Sequence, residues 1–63
     1  MNKLTDREEK VMILICEGKS NAQIASQLEL SVNTVKTHLR HVFKKLEVDN
    51  RTAATVRYLN LYR

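Results

Sequence analysis

The sequence has no proline, no tryptophan, a single glycine and only three aromatic side chains among its 63 residues. So few backbone breakers favour a helical chain with short turns. The one cysteine, Cys16, cannot form an internal disulfide, which fits a reducing compartment. The longest apolar run, residues 11–16, is too short for a membrane span or a signal-peptide core. We therefore expect a cytoplasmic protein that does not contact membranes.

The length predicts one domain, residues 1–63, because domains usually need about 100–200 residues each. A chain this short buries only about 60% of its unfolded surface, so the core is small. It leaves no room for a cofactor fold or a deep catalytic cleft. We expect no enzyme activity, no cofactor and no small-molecule site.

Capping residues and helical periodicity predict four helices. Thr5 and Glu8 form a capping box for the first helix, and Gly18 offers the left-handed residue that ends a helix. Ser20 and Gln23 form a second capping box. The sequence therefore predicts an all-α fold, a four-helix bundle that contains a helix-turn-helix.

The third helix, over about residues 32–46, follows the N-cap Ser31. Only Glu29 and Leu30 separate it from the short second helix, which is the helix-turn-helix layout, although the turn lacks the usual glycine. Its apolar stripe is Val32, Val35, Leu39, Val42 and Leu46. A coiled-coil seam has the same spacing, but two heptads without continuation disfavour it. The fourth helix starts near Asn50, with core positions Ala54, Tyr58 and Leu61.

Negative charge is missing from the third helix, because residues 30–46 contain no aspartate or glutamate. The helix carries Lys36, His38, Arg40, His41, Lys44 and Lys45 in a chain of net charge +4. At about 100° per residue, the face opposite the apolar stripe holds Asn33, Thr37, Arg40, His41 and Lys44, with Thr34 and Lys36 on its shoulders. Such a face suits the major groove of double-stranded DNA, where Arg and Lys donate to guanine and a Thr methyl can touch thymine.

Anion contacts are also expected at the starts of the second and third helices, where free backbone amides bind phosphate. Arg51, at the start of the fourth helix, is a further candidate for the DNA backbone. The candidates at the two helix starts are Ser20, Asn21, Ser31, Asn33 and Thr34.

Each feature also has a plainer interpretation. A lysine-rich helix face can simply be solvated, and the cap residues act as caps first. His38 and His41 have metal-ligand spacing, but no third ligand matches them, so no metal site is expected. Cys16 is expected to pack beside Ile15 rather than to react. No nucleophile–base pair or carboxylate pair indicates catalysis.

The chain resembles the LuxR-type helix-turn-helix domain of bacterial transcription regulators, including NarL/FixJ response regulators and quorum-sensing receptors. The resemblance covers nearly the whole chain and rests on Leu4-Thr5-x-Arg7-Glu8, Val11, Gly18-x-Ser20-Asn21, Ile24-Ala25, Leu28, Thr34-Val35-Lys36-x-His38, Lys45-Leu46-x-Val48 and Asn50-Arg51-x-x-Ala54.

The resemblance implies a third helix that enters the major groove, with Lys36, Thr37 and Arg40 reading bases. It implies backbone contacts from Ser20, Asn21, Thr34, His38 and Lys44. It also implies a homodimer on two DNA half-sites, with a dimer face on the fourth helix made of Ala53, Val56, Arg57 and Asn60. We expect the domain to be mostly monomeric without DNA.

Four positions depart from the family pattern. Asp6 stands where proline is frequent, and Glu47 stands where glycine is frequent, so Glu47 is strained if its φ is positive. Tyr58 replaces a small residue, and Asn60 replaces a glycine at the helix end, where Asn tolerates the left-handed conformation.

Two other classes of function compete with DNA reading. Ile13 falls outside the core stripe of the first helix, which favours a protein-interaction module that docks an RNA polymerase subunit or a regulatory partner. Structured RNA is a weaker candidate, because Phe43, Tyr58 and Tyr62 provide no aromatic stacking platform.

Overall fold

The computed structural model describes residues 3–62. Within that range the chain forms four helices and no strand, in the order α1 (Asp6–Cys16), α2 (Asn21–Leu28), α3 (Val32–Leu46) and α4 (Arg51–Tyr62). The predicted all-α class and the number of helices are confirmed. None of the helices in this part of the chain is long and apolar enough to cross a membrane.

Both predicted capping boxes are present. The Glu8 amide donates to Thr5 Oγ1 at 3.1 Å, and the Thr5 amide donates to Glu8 Oε1 at 2.9 Å. Ser20 and Gln23 repeat this exchange at the start of α2. At the start of α4 the Ala53 amide donates to Asn50 Oδ1 at 2.8 Å. Each helix start is therefore defined by a residue that its own local sequence supplies.

Two glutamates take the left-handed conformation that ends a helix. Glu29, with φ of 57°, closes α2, and Glu47, with φ of 58°, closes α3. Beyond Glu29 the Leu30 amide donates to Ala25 O at 2.8 Å, which completes the tight turn between α2 and α3. A non-glycine residue costs roughly 1–2 kcal/mol in this conformation, so the strain expected at Glu47 is real and Glu29 shares it.

The core lies on the inner side of α3, which packs against each of the other three helices. Its fully buried members include Val11, Met12, Ile24, Val35 and Val42. Because α3 touches every other helix, its inner stripe fixes the orientation of its outer side.

Three positions differ from expectation. Val32 is 39% exposed and Leu61 is 43% exposed. Each lies in an end turn of its helix, and the neighbouring helices cover only the middle of that helix's apolar stripe. Asn60 has helical rather than left-handed backbone, since α4 continues past it.

Tyr58 is part of the core. It is 8% exposed, and its hydroxyl donates to Glu9 Oε1 at 3.3 Å. The large side chain therefore ties α4 to α1 and does not occupy the outer side of α4.

Candidate nucleic-acid interface

The side of α3 that faces away from the core is basic and exposed. We call it the outer face and define it as Asn33, Lys36, Thr37, Arg40, His41 and Lys44, all of which are exposed. Behind it Val35 and Val42 are completely buried. The helix therefore has the two sides that its sequence predicted, with the cations turned outward.

Thr37 lies between Lys36 and Arg40 in the sequence of this face. Its hydroxyl donates to Asn33 O at 3.1 Å, within the helix. Because the hydroxyl proton is used within the helix, this side chain can offer a ligand its methyl group and the two lone pairs of its hydroxyl oxygen. A methyl group at this position fits the predicted contact with a thymine methyl.

The starts of α2 and α3 leave backbone amides for an outside acceptor. A helix start leaves four amides without an intrahelical partner. The capping box of α2 uses the amides of Ser20 and Gln23, and within residues 3–62 no acceptor is found for those of Asn21 and Ala22. At α3, Ser31 Oγ accepts the Thr34 amide at 3.0 Å and lies 2.8 Å from Thr34 Oγ1.

The predicted backbone-contacting residues differ in exposure. Ser20, Ser31, Asn33 and Lys44 are exposed, whereas Asn21, Thr34, His38 and Arg51 are half-buried.

Lys45, the last lysine of α3, is not part of the outer face. Its Nζ lies 2.7 Å from Glu8 Oε1 and donates to Lys3 O at 3.3 Å. Burial raises the pKa of Glu8, but hydrogen bonds from Lys45 and the Thr5 amide, with the Lys45 charge, lower that pKa by more. Lys45 is thus a structural partner of a buried carboxylate.

Arg51 makes an unexpected connection to the start of α2. Its Nη1 donates to Asn21 Oδ1 and its Nη2 donates to Lys19 O, each at 2.6 Å. Both residues of the Arg51–Asn21 pair were predicted to contact phosphate separately. The sequence carries no signal for their pairing, because the two residues lie 30 positions apart.

A pocket of about 330 Å³ lies where α2 begins, beside the middle of α3 and the start of α4. It brings together four of the predicted DNA contacts and two apolar side chains. The lining residues are Asn21, Lys36, Leu39, Arg40, Phe43 and Arg51, and none of them is acidic.

The predicted dimer face on α4 is accessible in large part. Val56 is 56% exposed, Arg57 and Asn60 are exposed, and Ala53 is half-buried. Sequence reasoning missed Leu59, which is 46% exposed and lies three residues after Val56. The helical spacing of Val56 and Leu59 was the signal that could have found it.

Cys16 and the histidines carry no visible chemistry of their own. Burial raises the pKa of Cys16 by more than a hydrogen bond with Thr55 lowers that pKa. The thiol is therefore protonated at neutral pH. Among the residues that the structure describes, no three His, Cys, Asp or Glu side chains are grouped to hold a metal ion.

The fold and this basic face define a helix-turn-helix DNA-binding domain, and comparisons with known proteins identify the family. A family model described as "Bacterial regulatory proteins, luxR family" matches residues 2–58. The chain therefore belongs to the LuxR family, whose helix-turn-helix domains bind DNA and regulate transcription, as the sequence motifs predicted. It is a family of transcription regulators rather than of enzymes.

Individual relatives agree with this assignment. The chain is 52% identical over 56 residues to the nitrate/nitrite response regulator protein homolog of Haemophilus influenzae. It is 45% identical over 53 residues to the response regulator protein VraR of Staphylococcus aureus. These alignments cover 89% and 84% of this chain, but only 27% and 25% of those proteins.

A solved structure also matches the fold closely. The crystal structure of the response regulator ChrA, from a heme-sensing two-component system, superposes with a TM-score of 0.92 at 43% identity. The match covers 97% of this chain and 30% of ChrA. The chain thus spans about a quarter to a third of the proteins that it resembles.

Proposed function

We propose that this chain, residues 1–63, is a single DNA-reading domain of a bacterial response regulator. It recognises specific double-stranded sites by placing α3 in the major groove. The observation that carries the proposal is the outer face of α3, which is basic, exposed and free of carboxylates. An α-helix fits the width of the major groove, and the buried stripe behind this face holds the helix firmly.

Base reading falls to Lys36, Thr37 and Arg40, which are all exposed and lie within about one helical turn. Lys and Arg donate to guanine O6 and N7, and the Thr37 methyl group is suited to thymine. These three side chains would confer sequence preference.

The DNA backbone is held by a surrounding set of donors, which fix the register of α3 but carry no sequence information themselves. The free amides at the starts of α2 and α3 add to the side chains. The set is Ser20, Asn21, Ser31, Asn33, Thr34, His38 and Lys44. Arg51 is not counted among them, because its Nη1 and Nη2 donate to Asn21 and Lys19.

Two copies bind together on DNA through α4, using Ala53, Val56, Arg57 and Asn60. The exposed aliphatic side chains there, Val56 and Leu59, are too few for the roughly 800 Å² per partner that a stable interface buries. The domain is therefore a monomer in solution and pairs only when DNA brings two copies together. Two half-sites would lie about one helical turn, 10–10.5 bp, or a multiple of it apart. The DNA target places the protein in the cytoplasm.

Selection from a random duplex pool at low salt tests the proposal. We expect enrichment of one short motif, present twice at a fixed spacing. Enrichment of no sequence would contradict specific reading, and a single unpaired motif would contradict the dimer while leaving the reading intact.

A second candidate function is supported by Ile13, which is 45% exposed on the side of α1 away from the core. Contact with a protein such as RNA polymerase would remove this apolar side chain from water. If Ile13→Glu lost RNA polymerase capture but kept DNA binding, protein docking would operate beside DNA reading. Unchanged capture would remove this candidate.

A further inference from the structure

Arg51 joins two helices that do not otherwise pack on each other. It is the first residue of α4, and its two hydrogen bonds reach Asn21, the first residue of α2, and the loop carbonyl of Lys19. The helix pairs in contact are α2 with α3, α1 with α3, α3 with α4, α1 with α4 and α1 with α2. Within residues 3–62, the Arg51 guanidinium therefore links α4 to α2 although the two helices do not pack together.

The start of α2 needs such support. The helix has eight residues, about two turns, and a helix this short is not stable by itself. Its buried residues, Ile24 and Ala25, lie in its middle, so the first turn is held by the capping box and by Arg51. Without Arg51, the first turn would keep its cap but lose its side-chain link to α4.

The link lies directly beside the base-reading side chains. Asn21 and Arg51 line the same pocket as Lys36 and Arg40. The free amides at the start of α2 and the basic side chains of α3 are thus held at a fixed separation across this pocket. A DNA duplex also presents its phosphates and its base edges at a fixed separation. The α2 amides can bind a phosphate while the α3 side chains bind base edges only if the separation in the protein matches the separation in the duplex.

We propose that Arg51 is a positioning residue for DNA reading, which sets the start of α2 relative to Lys36 and Arg40. This inference rests on the proposed function. It differs from the direct phosphate contact expected from the sequence, because Nη1 and Nη2 both donate to groups of the protein. A lysine cannot replace it, since one ammonium lacks the planar fork that reaches two acceptors at once.

The experiment compares Arg51→Lys, Asn21→Ala and the double variant with the unmodified chain. Affinity is measured for the selected duplex and for a scrambled duplex at several salt concentrations, and circular dichroism gives the folded fraction of each variant. Arg51→Lys keeps the positive charge and removes the fork. Asn21→Ala removes the oxygen that accepts from Arg51 Nη1 and leaves the arginine in place. It therefore tests the same link if Arg51→Lys does not fold.

We expect each single variant to lose about tenfold in affinity for the selected duplex and much less for the scrambled one. The double variant should lose no more affinity than the single variant that binds less tightly, because both changes break the same link between Arg51 and Asn21. The slope of log affinity against log salt should stay unchanged in Arg51→Lys.

Two results would overturn the inference alone. One is an Arg51→Lys variant that binds the selected duplex as tightly as the unmodified chain. The other is a pair of single losses that multiply in the double variant, as independent phosphate contacts would. If the unmodified chain did not prefer the selected duplex at all, the proposed function would fail and this inference with it.

Discussion

Lys45 and Glu8 form an ion pair between the last turn of α3 and the first turn of α1, with 2.7 Å between Nζ and Oε1. Glu8 is only 4% exposed, and the same Oε1 also accepts the Thr5 amide. One carboxylate therefore caps α1 and anchors α3. The neighbouring Lys44 is exposed on the outer face of α3, so two consecutive lysines have separate roles.

Lys45→Ala should destabilise the domain by about 2 kcal/mol. Removing one partner of a buried pair leaves an uncompensated charge, at a cost of about 3–5 kcal/mol when burial is complete. Because the Lys45 side chain is 28% exposed, water compensates in part. Urea unfolding measures the change. Lys44→Ala is the matched control and should shift stability by less than about 0.5 kcal/mol; equal effects of the two variants would contradict the assignment.

In DNA binding the two lysines should behave in the reverse way. Lys44→Ala should weaken all duplexes similarly and lower the salt slope by about 0.9, since one phosphate contact is lost. Lys45→Ala, measured where it is fully folded, should leave the slope unchanged. Fluorescence anisotropy titrations across a range of salt concentrations test both statements. A lower slope for Lys45→Ala would place that side chain at the DNA after all.

Stability should fall in acid through Glu8. Its pKa is lower in the folded state, so its contribution is complete above the ordinary carboxyl range and is lost as the pH falls through the folded value. Glu8→Gln keeps an oxygen for the Thr5 amide but has no charge. Its unfolding free energy should therefore depend less on pH between neutral and about pH 3. Parallel pH profiles for the two proteins would contradict the ion pair.

Glu47→Gly should stabilise the domain by about 1 kcal/mol, because glycine adopts a φ of 58° without a steric penalty. Glu47→Asn also removes the charge and tolerates this conformation, so it should stabilise in part. Glu17→Gly is the control, since Glu17 caps α1 with φ of −81° and gains nothing from glycine. Thermal unfolding compares the three. Stabilisation by Glu17→Gly as well would show that loss of charge, not backbone strain, is responsible.

Base reading should depend on Lys36 and Arg40. Replacing either with alanine should cost about 1–3 kcal/mol on the selected duplex and relax the preference at one position of the site. Lys10→Ala is the matched control, because Lys10 is exposed on the side of α1 away from the core. Repeating the duplex selection with each variant measures the preference. An unchanged motif for both Lys36→Ala and Arg40→Ala would mean that other side chains read the bases.

Pairing on DNA should depend on Val56. Val56→Glu should abolish the cooperative binding of two copies to a double site and leave binding to a single half-site intact. Ile13→Glu places the same charge at another exposed aliphatic residue and should preserve cooperativity. Analytical ultracentrifugation with and without duplex counts the copies bound. A stable dimer without DNA would contradict the predicted monomer.

The helix boundaries could be predicted from the sequence because they depend on neighbours in the chain. Thr5 with Glu8 and Ser20 with Gln23 each lie three residues apart, so the caps were visible directly. The outer face of α3 was predictable for the same reason, since helical periodicity places side chains on a face. The predicted burial of Val32 and Leu61 was wrong, because helical periodicity does not indicate where the neighbouring helices that cover a face end.

The side-chain partners could not be predicted in the same way. Lys45 pairs with a residue 37 positions away, and Arg51 with one 30 positions away, so both pairs depend on how the helices pack. From the sequence, Lys36, Lys44 and Arg51 were predicted to contact DNA, and Lys45 was one more cation of a helix without carboxylates. Packing pairs Lys45 with Glu8 and gives Arg51 partners within the protein.

The most direct test of DNA reading by α3 is a crystal structure of this chain bound to its selected duplex. We expect α3 in the major groove, with Lys36 and Arg40 within hydrogen-bonding distance of base edges and the amides at the start of α2 on a phosphate. A complex in which α3 faces solvent, or in which another helix lies against the bases, would contradict the account.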